Sequence, residues 1–146
     1  MCDLGAKIKV LSANCQGLRN YQKRSDVLRY LKETCASTVC LQDTHLLEKE
    51  IDSVKKVWIE CYIHGVKSNS CGVAVLINNN FEHEVIDHKV DKDGTCIQLL
   101  ICWCTMKINL INIYAPNQEV KSLLHSLTFI TLYRNLWRLQ FSLRSI

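Results

Sequence analysis

The hexapeptide Cys40-Leu41-Gln42-Asp43-Thr44-His45 constrains this chain more than any other stretch. It closes an apolar, β-branched run, Ser37-Thr38-Val39-Cys40-Leu41, with four polar side chains in succession. Such a run reads as a buried strand. Ending it in Gln-Asp-Thr-His sets an amide, a carboxylate, a hydroxyl and an imidazole at one sheet edge, and open α/β sheets bind ligands outside the carboxyl ends of their strands. The plain alternative is that Asp43 or Thr44 caps a helix over residues 46–57. Taken alone, the hexapeptide fits that alternative better, because such caps are common.

Two further stretches change the balance. Lys9-Val10-Leu11-Ser12-Ala13-Asn14-Cys15-Gln16-Gly17-Leu18 also runs from a short apolar strand into a polar residue, Asn14, and then a glycine turn. Asn109-Leu110-Ile111-Asn112-Ile113-Tyr114-Ala115-Pro116-Asn117 does the same a third time. In order, the blocks LSANCQGLR, VCLQDTH, GVAVLI and INLINIYAPN resemble the endonuclease/exonuclease/phosphatase family. Within that family they are most similar to the N-terminal half of the endonuclease domain of LINE-type (non-LTR) retrotransposons. The likeness covers residues 7–117, and several ordered blocks are far more specific than any one of them.

What this resemblance implies is concrete. In the family an Asn after the first strand and a Glu after the next hold a divalent cation, usually Mg²⁺; the matching residues here are Asn14 and Asp43. Mg²⁺ takes oxygen ligands in a strict octahedron and keeps several waters, so an amide oxygen and a carboxylate suit it. The ion polarises a phosphodiester and steadies developing charge. Tyr114 matches a family tyrosine whose phenol can donate to a phosphate oxygen. From the residues alone, Tyr114 is simply an aromatic that closes a strand. The implied parent activity is Mg²⁺-dependent hydrolysis of DNA phosphodiester bonds. Arg19, Lys23 and Arg24 form a basic rim near Asn14, readable as solvated loop charge or as phosphate contacts.

The sequence departs from the family in two ways. Asp43 stands in place of Glu, which draws the carboxylate back by about 1.5 Å, one C–C bond. Against a metal–oxygen distance of about 2.0–2.1 Å that implies weak or lost Mg²⁺ binding. Family members also continue with Gly-Asp-Phe-Asn, a distal Asp and a terminal Ser-Asp-His, and none of these follows Asn117. Positioned acids and bases contribute roughly 10²–10⁴-fold, so the resemblance implies a truncated, catalytically silent chain. His125 lacks the preceding Asp and reads as an ordinary helix-face residue. Three rivals stand beside this reading: a non-catalytic nucleic-acid-binding module resting on Arg19, Lys23, Arg24 and Lys67, and a fragment of an abasic-site endonuclease or of a phosphoinositide phosphatase from the same family.

At 146 residues, with 48% hydrophobic and 22% charged residues, the chain has ordinary globular composition and room for one domain. A net charge of +4 permits nucleic-acid binding without demanding it. No basic start precedes a long apolar segment, which argues against a leader or a membrane partner. Nor does any motif point to a small-molecule cofactor. Cys15, Cys35, Cys40, Cys61 and Cys102, among nine cysteines, lie in or beside apolar runs. They read as small buried hydrophobes in a reducing compartment, nuclear or cytoplasmic.

Along the chain, residues 7–14 predict a strand, and Ser25 can cap a helix carrying Leu28, Leu31 and Cys35 on one face. A strand at 37–41 then makes a βαβ unit with parallel strands. A helix over 46–57, strands at 58–64 and 72–77, and a hairpin turn at 78–80 follow. Strands at 81–90, 95–104 and 106–114 complete a meander. The expected class is α+β: a truncated endonuclease/exonuclease/phosphatase-type sandwich, a mixed sheet with helices on one side. Residues 1–117 form the family-like part. Residues 118–146 form a divergent basic tail that can be helical through Leu123, Leu127, Ile130 and Trp137. Most of the family's second sheet should then be missing, leaving the faces of 72–77 and 108–114 wet and prone to self-association by aggregation.

Overall fold

The stretch Val73–Ile77 is apolar at every position and buried throughout, because both of its faces are covered. The structure, a computed structural model, describes residues 7–65, 71–114, 126–133 and 139–145. Its elements in order are β1 (Ile8–Asn14), α1 (Tyr21–Glu33), β2 (Thr38–Gln42), α2 (Glu48–Lys55), β3 (Glu60–Ile63), β4 (Val73–Ile77), β5 (Glu84–Val90), β6 (Cys96–Trp103), β7 (Met106–Tyr114), β8 (Ser126–Tyr133) and β9 (Leu139–Ser145). They form two sheets, one ordered β3-β4-β2-β1-β9 and the other β5-β6-β7-β8.

The side-chain period of two sorts each strand of the first sheet between two cores. Leu11, Ala13, Val39, Leu41, Ala74 and Leu76 face the helices, where they meet Leu18, Leu28, Leu31 and Trp58. The alternate residues Ile8, Val10, Cys40, Val73, Val75 and Ile77 face the second sheet and pack on Ile97, Leu99, Ile101, Ile108 and Leu110. The result is a helix–sheet–sheet sandwich of mixed α+β class, as expected. No helix among the described residues is long and apolar enough to cross a membrane.

The βαβ reading holds, with β1 and β2 paired in parallel from Val10↔Thr38 to Asn14↔Gln42. Several details differ. The cap of α1 is Asn20, whose side chain accepts from the Lys23 N–H, while Ser25 sits exposed inside the helix. The turn at Asn78 is real, with Phe81 N–H donating to Asn78 O at 2.9 Å, but it makes no hairpin. Both edges of β4 are already taken by β2 and β3, so the chain crosses to the second sheet.

The tail is β rather than helical wherever it is described: β8 pairs antiparallel with β7, and β9 pairs parallel with β1. The β-forming run Thr128-Phe129-Ile130-Thr131-Leu132-Tyr133 overrides the weaker helical spacing. The second sheet therefore has four strands, and Val73–Ile77 is buried throughout rather than wet. That removes the premise of the aggregation expectation. Lys67, Leu123, His125 and Trp137 lie outside the described residues.

The five cysteines read as buried hydrophobes all carry free thiols, but only Cys15 and Cys40 are buried and Cys35 is exposed. Cys104, not among those five, is disulfide-bonded.

Candidate functional site

Asn14 ends β1, Tyr114 ends β7, and Asp43 follows the last residue of β2. Asn14 is the register partner of Gln42, so β1 and β2 run out side by side and present Asn14 next to the Gln42–Asp43 peptide. Tyr114 arrives from the other sheet, and its side chain is hydrogen-bonded to Asp43. A carboxylate only accepts, so the phenol donates. The ends of β2 and β7, from different sheets, thus meet at one spot. Burial, and then the negative charge and hydrogen bond of Asp43, push the Tyr114 phenol up to about 12. It remains a neutral donor across the ordinary pH range.

Asp43 does not cap the following helix, and neither does Thr44. The first residue of α2 is Glu48 and its cap is Leu47, whose N–H is taken by the Glu50 carboxylate at 2.9 Å. Freed from capping, Asp43 accepts from Nε2 of His45 as well as from Tyr114. The backbone explains how two side chains two residues apart converge: Asp43 and His45 both have positive φ, 56° and 53°. Such left-handed residues are uncommon outside glycine and concentrate where surroundings force them. Here the force is a continuation of sheet-like bonding past the strand ends. On one side Cys15, Gly17 and Leu18 donate to the carbonyls of Gln42, Asp43 and Thr44 at 2.7–2.9 Å. On the other, Thr44 and His45 donate to Gly72 and Cys71 at 3.0 and 2.9 Å. Gly17 itself has φ +84°, and a Cβ there would press on His45 Nδ1 at 3.3 Å.

A polar floor that the sequence reading missed lies between the sheets. Gln42, Asn112 and Ser12 are all buried. Gln42 Nε2 donates to Ser12 Oγ at 2.9 Å and to Asn112 Oδ1 at 2.7 Å. Asn112 Nδ2 donates to the carbonyls of Leu41 and Ala74 at 2.9 and 3.0 Å. The signal was present: Asn112 lies two residues before Tyr114 in a strand, hence on the same face.

The basic rim is rearranged. Arg24 is only 6% exposed, and its guanidinium donates to the carbonyls of Leu18 and Arg19 and to Ser53 Oγ. Lys23 Nζ donates to the carbonyls of Cys15 and Gln16 at 2.8 and 3.2 Å. It thereby steadies the turn beside Asn14. Arg19 is half-buried.

As a cation site the donor chemistry fits a hard ion: a carboxylate at Asp43 and an amide oxygen at Asn14. The set is thin. Asn14 Oδ1 already accepts from Gln16 N–H at 3.1 Å, and no group of three or more His, Cys, Asp or Glu among the described residues could hold a metal. These residues fit an ion that is mostly hydrated and loosely held.

Comparisons with known proteins bear on the fold and the family resemblance. The chain is 28% identical over 117 residues to the Exodeoxyribonuclease of Bacillus subtilis (strain 168), covering 77% of this chain and 44% of that protein. It is 27% identical over 110 residues to the Transposon TX1 uncharacterized 149 kDa protein of Xenopus laevis, covering 75% of this chain and 8% of that protein. The AP endonuclease LMAP from Leishmania major shares the fold, with a TM-score of 0.57 at 19% identity over 75% of this chain and 40% of its own. No family model matches. This chain spans less than half the length of the curated relatives it matches. Two relatives and one shared fold support the endonuclease/exonuclease/phosphatase resemblance read from the sequence.

Proposed function

We propose that this chain, of endonuclease/exonuclease/phosphatase-type fold, carries the cation- and phosphate-contacting part of a phosphodiesterase site that acts on DNA. The supporting observation is the hydrogen bond between Tyr114 and Asp43, which joins two strand ends of separate sheets at one polar spot. Asp43 and Asn14 would hold a divalent cation, Mg²⁺ by the chemistry of their oxygens. When bound, that ion supplies charge neutralisation at a phosphodiester. Tyr114 keeps its proton and can turn its donor from Asp43 to a phosphate oxygen. His45 holds the Asp43 carboxylate in place while that exchange occurs, and Lys23 stiffens the turn that carries Asn14. The chain by itself binds DNA and turns it over poorly or not at all.

The alternative of a purely electrostatic rim has less support, because Lys23 and Arg24 are engaged by carbonyls. The deciding experiment is fluorescence anisotropy with duplex DNA, with and without Mg²⁺, on the chain and on Asp43→Ala and Tyr114→Phe. Binding should strengthen with Mg²⁺, and each variant should lose that increment. Binding indifferent to the cation and to both residues, falling only with salt, would reject the site in favour of the rim.

A further inference from the structure

A cavity of about 260 Å³ opens between α1 and α2, with Tyr21, Arg24, Ser25, Ser53 and Lys56 in its lining and no acidic residue among them. Arg24 is the anomaly. It is 6% exposed, yet no carboxylate pairs with it among the described residues. Nε donates to Ser53 Oγ at 2.8 Å, and Nη1 donates to the carbonyls of Leu18 and Arg19 at 2.9 Å. A guanidinium has five N–H donors; three are used, and Nη2 donates to nothing among the described residues. The remaining nitrogen, with two N–H groups, leaves this guanidinium able to donate to an anion as well as to the carbonyls that hold it.

The other lining residues define that anion further. Lys56, exposed on the α2 side, adds a second cation, and Ser25 offers a hydroxyl. Tyr21 is 71% exposed, unusual for a large aromatic, and its ring covers the Arg24 guanidinium at 5.7 Å from Cζ. One ring face rests on the guanidinium and the other is open. We propose that this cavity binds a nucleotide, with its phosphate on Arg24 Nη2 and Lys56 and its base stacked on Tyr21. Arg recognises phosphate through its planar fork, and stacking on an aromatic tolerates any base. The same chemistry serves a free nucleotide and a nucleotide within a single strand. It uses none of Asn14, Asp43 and Tyr114, so it stands or falls separately from the phosphodiesterase reading.

The test titrates the whole chain with AMP and with inorganic phosphate by calorimetry, and with a labelled oligo-dA strand by anisotropy. AMP should bind about tenfold more tightly than phosphate, the scale of one base on one aromatic ring. Tyr21→Ala should erase that difference, and Lys56→Glu should weaken both ligands about tenfold by replacing an attractive charge with a repulsive one. Both side chains are exposed, so a thermal melt should show the variants folded as the parent is. Strand binding that AMP displaces identifies the single strand as the source of the nucleotide; AMP binding that the strand leaves untouched identifies the free nucleotide. Equal affinities for AMP and phosphate, no binding of either, or binding that survives both Tyr21→Ala and Lys56→Glu would overturn the proposal.

Discussion

Asn112→Ala tests whether the buried polar floor ties the two sheets together. Asn112 is fully buried, at 0% exposure. Its amide donates to the carbonyls of Leu41 and Ala74 and accepts from Gln42. Leu41 and Ala74 are register partners across β2 and β4, so a side chain from the second sheet clasps two strands of the first. Truncation to Ala leaves two carbonyls and one amide N–H without that partner. Each bond is worth about 0.5–1.5 kcal/mol net, and each buried group left unsatisfied costs about 1–3 kcal/mol. Three such groups place the loss at about 4 kcal/mol, a large part of a stability of about 5–15 kcal/mol. Urea unfolding followed by tryptophan fluorescence should show a lower midpoint at unchanged slope. Asn112→Asp supplies the control. Nearly isosteric, it turns the donor toward two carbonyl oxygens into an acceptor and should be worse than Ala. A loss below about 1 kcal/mol for Ala, or Asp milder than Ala, would refute the clasp.

Three further outcomes follow from the site. Thr44 Oγ1 is buried without a partner among the described residues, so Thr44→Val should raise stability by about 1 kcal/mol in the same urea assay; a comparable fall would mean the hydroxyl is satisfied after all. The Tyr114 phenol is raised from 10.0 to about 12, by burial first and by Asp43 second. Because the folded value exceeds the unfolded one, its contribution is intact below pH about 10 and is lost as pH climbs toward 12; Tyr114→Phe should flatten the fall of Tm across that window and remove a late-titrating tyrosine at 295 nm. Asp43→Glu should increase the thermal shift at millimolar Mg²⁺ through its longer reach, while lowering Tm without the ion, since Asp tolerates the left-handed φ of 56° better than Glu. A large Mg²⁺ shift in the parent chain would contradict the account of a shortened ligand.

The parts of the fold that local patterning dictates were legible. Apolar runs ending in Asn14, Gln42 and Tyr114 are strands, and the parallel β1–β2 pair follows from the helix between them. The split into two sheets was not legible from the meander, because a strand apolar on both faces does not say which neighbour lies on each. Val73–Ile77 fits a buried strand whether it turns back in its own sheet or hands the chain to another. The fate of Arg24 was hidden for a different reason. A basic residue in a rim-like sequence is exposed by default, and only the carbonyls of Leu18 and Arg19, turned inward by the loop, make its burial tolerable. The tail misled through competing periods: Leu123, Leu127 and Ile130 suit a helix, whereas β-branched and aromatic residues from Thr128 onward suit a strand, and pairing with β7 decides between them.

Why the carboxylate of Asp43 sits where it does is a matter of backbone more than of side chain. Asp43 and His45 each pay roughly 1–3 kcal/mol for a left-handed conformation. Five main-chain hydrogen bonds to residues 42–45, three from the loop after β1 and two to Cys71 and Gly72, hold the segment in that shape. None of these bonds involves a side chain of the segment. The carboxylate can therefore be shortened, lengthened or removed while the segment keeps its path, and the two strand ends it bridges stay in register through Asn14↔Gln42 and the Asn112 clasp. An Asp in place of a longer acid is then a change of reach on a fixed mount. The scaffold around it should accept Asp43→Ala with a modest loss of stability, so a loss of cation- or DNA-dependent behaviour in that variant reports on chemistry and not on unfolding.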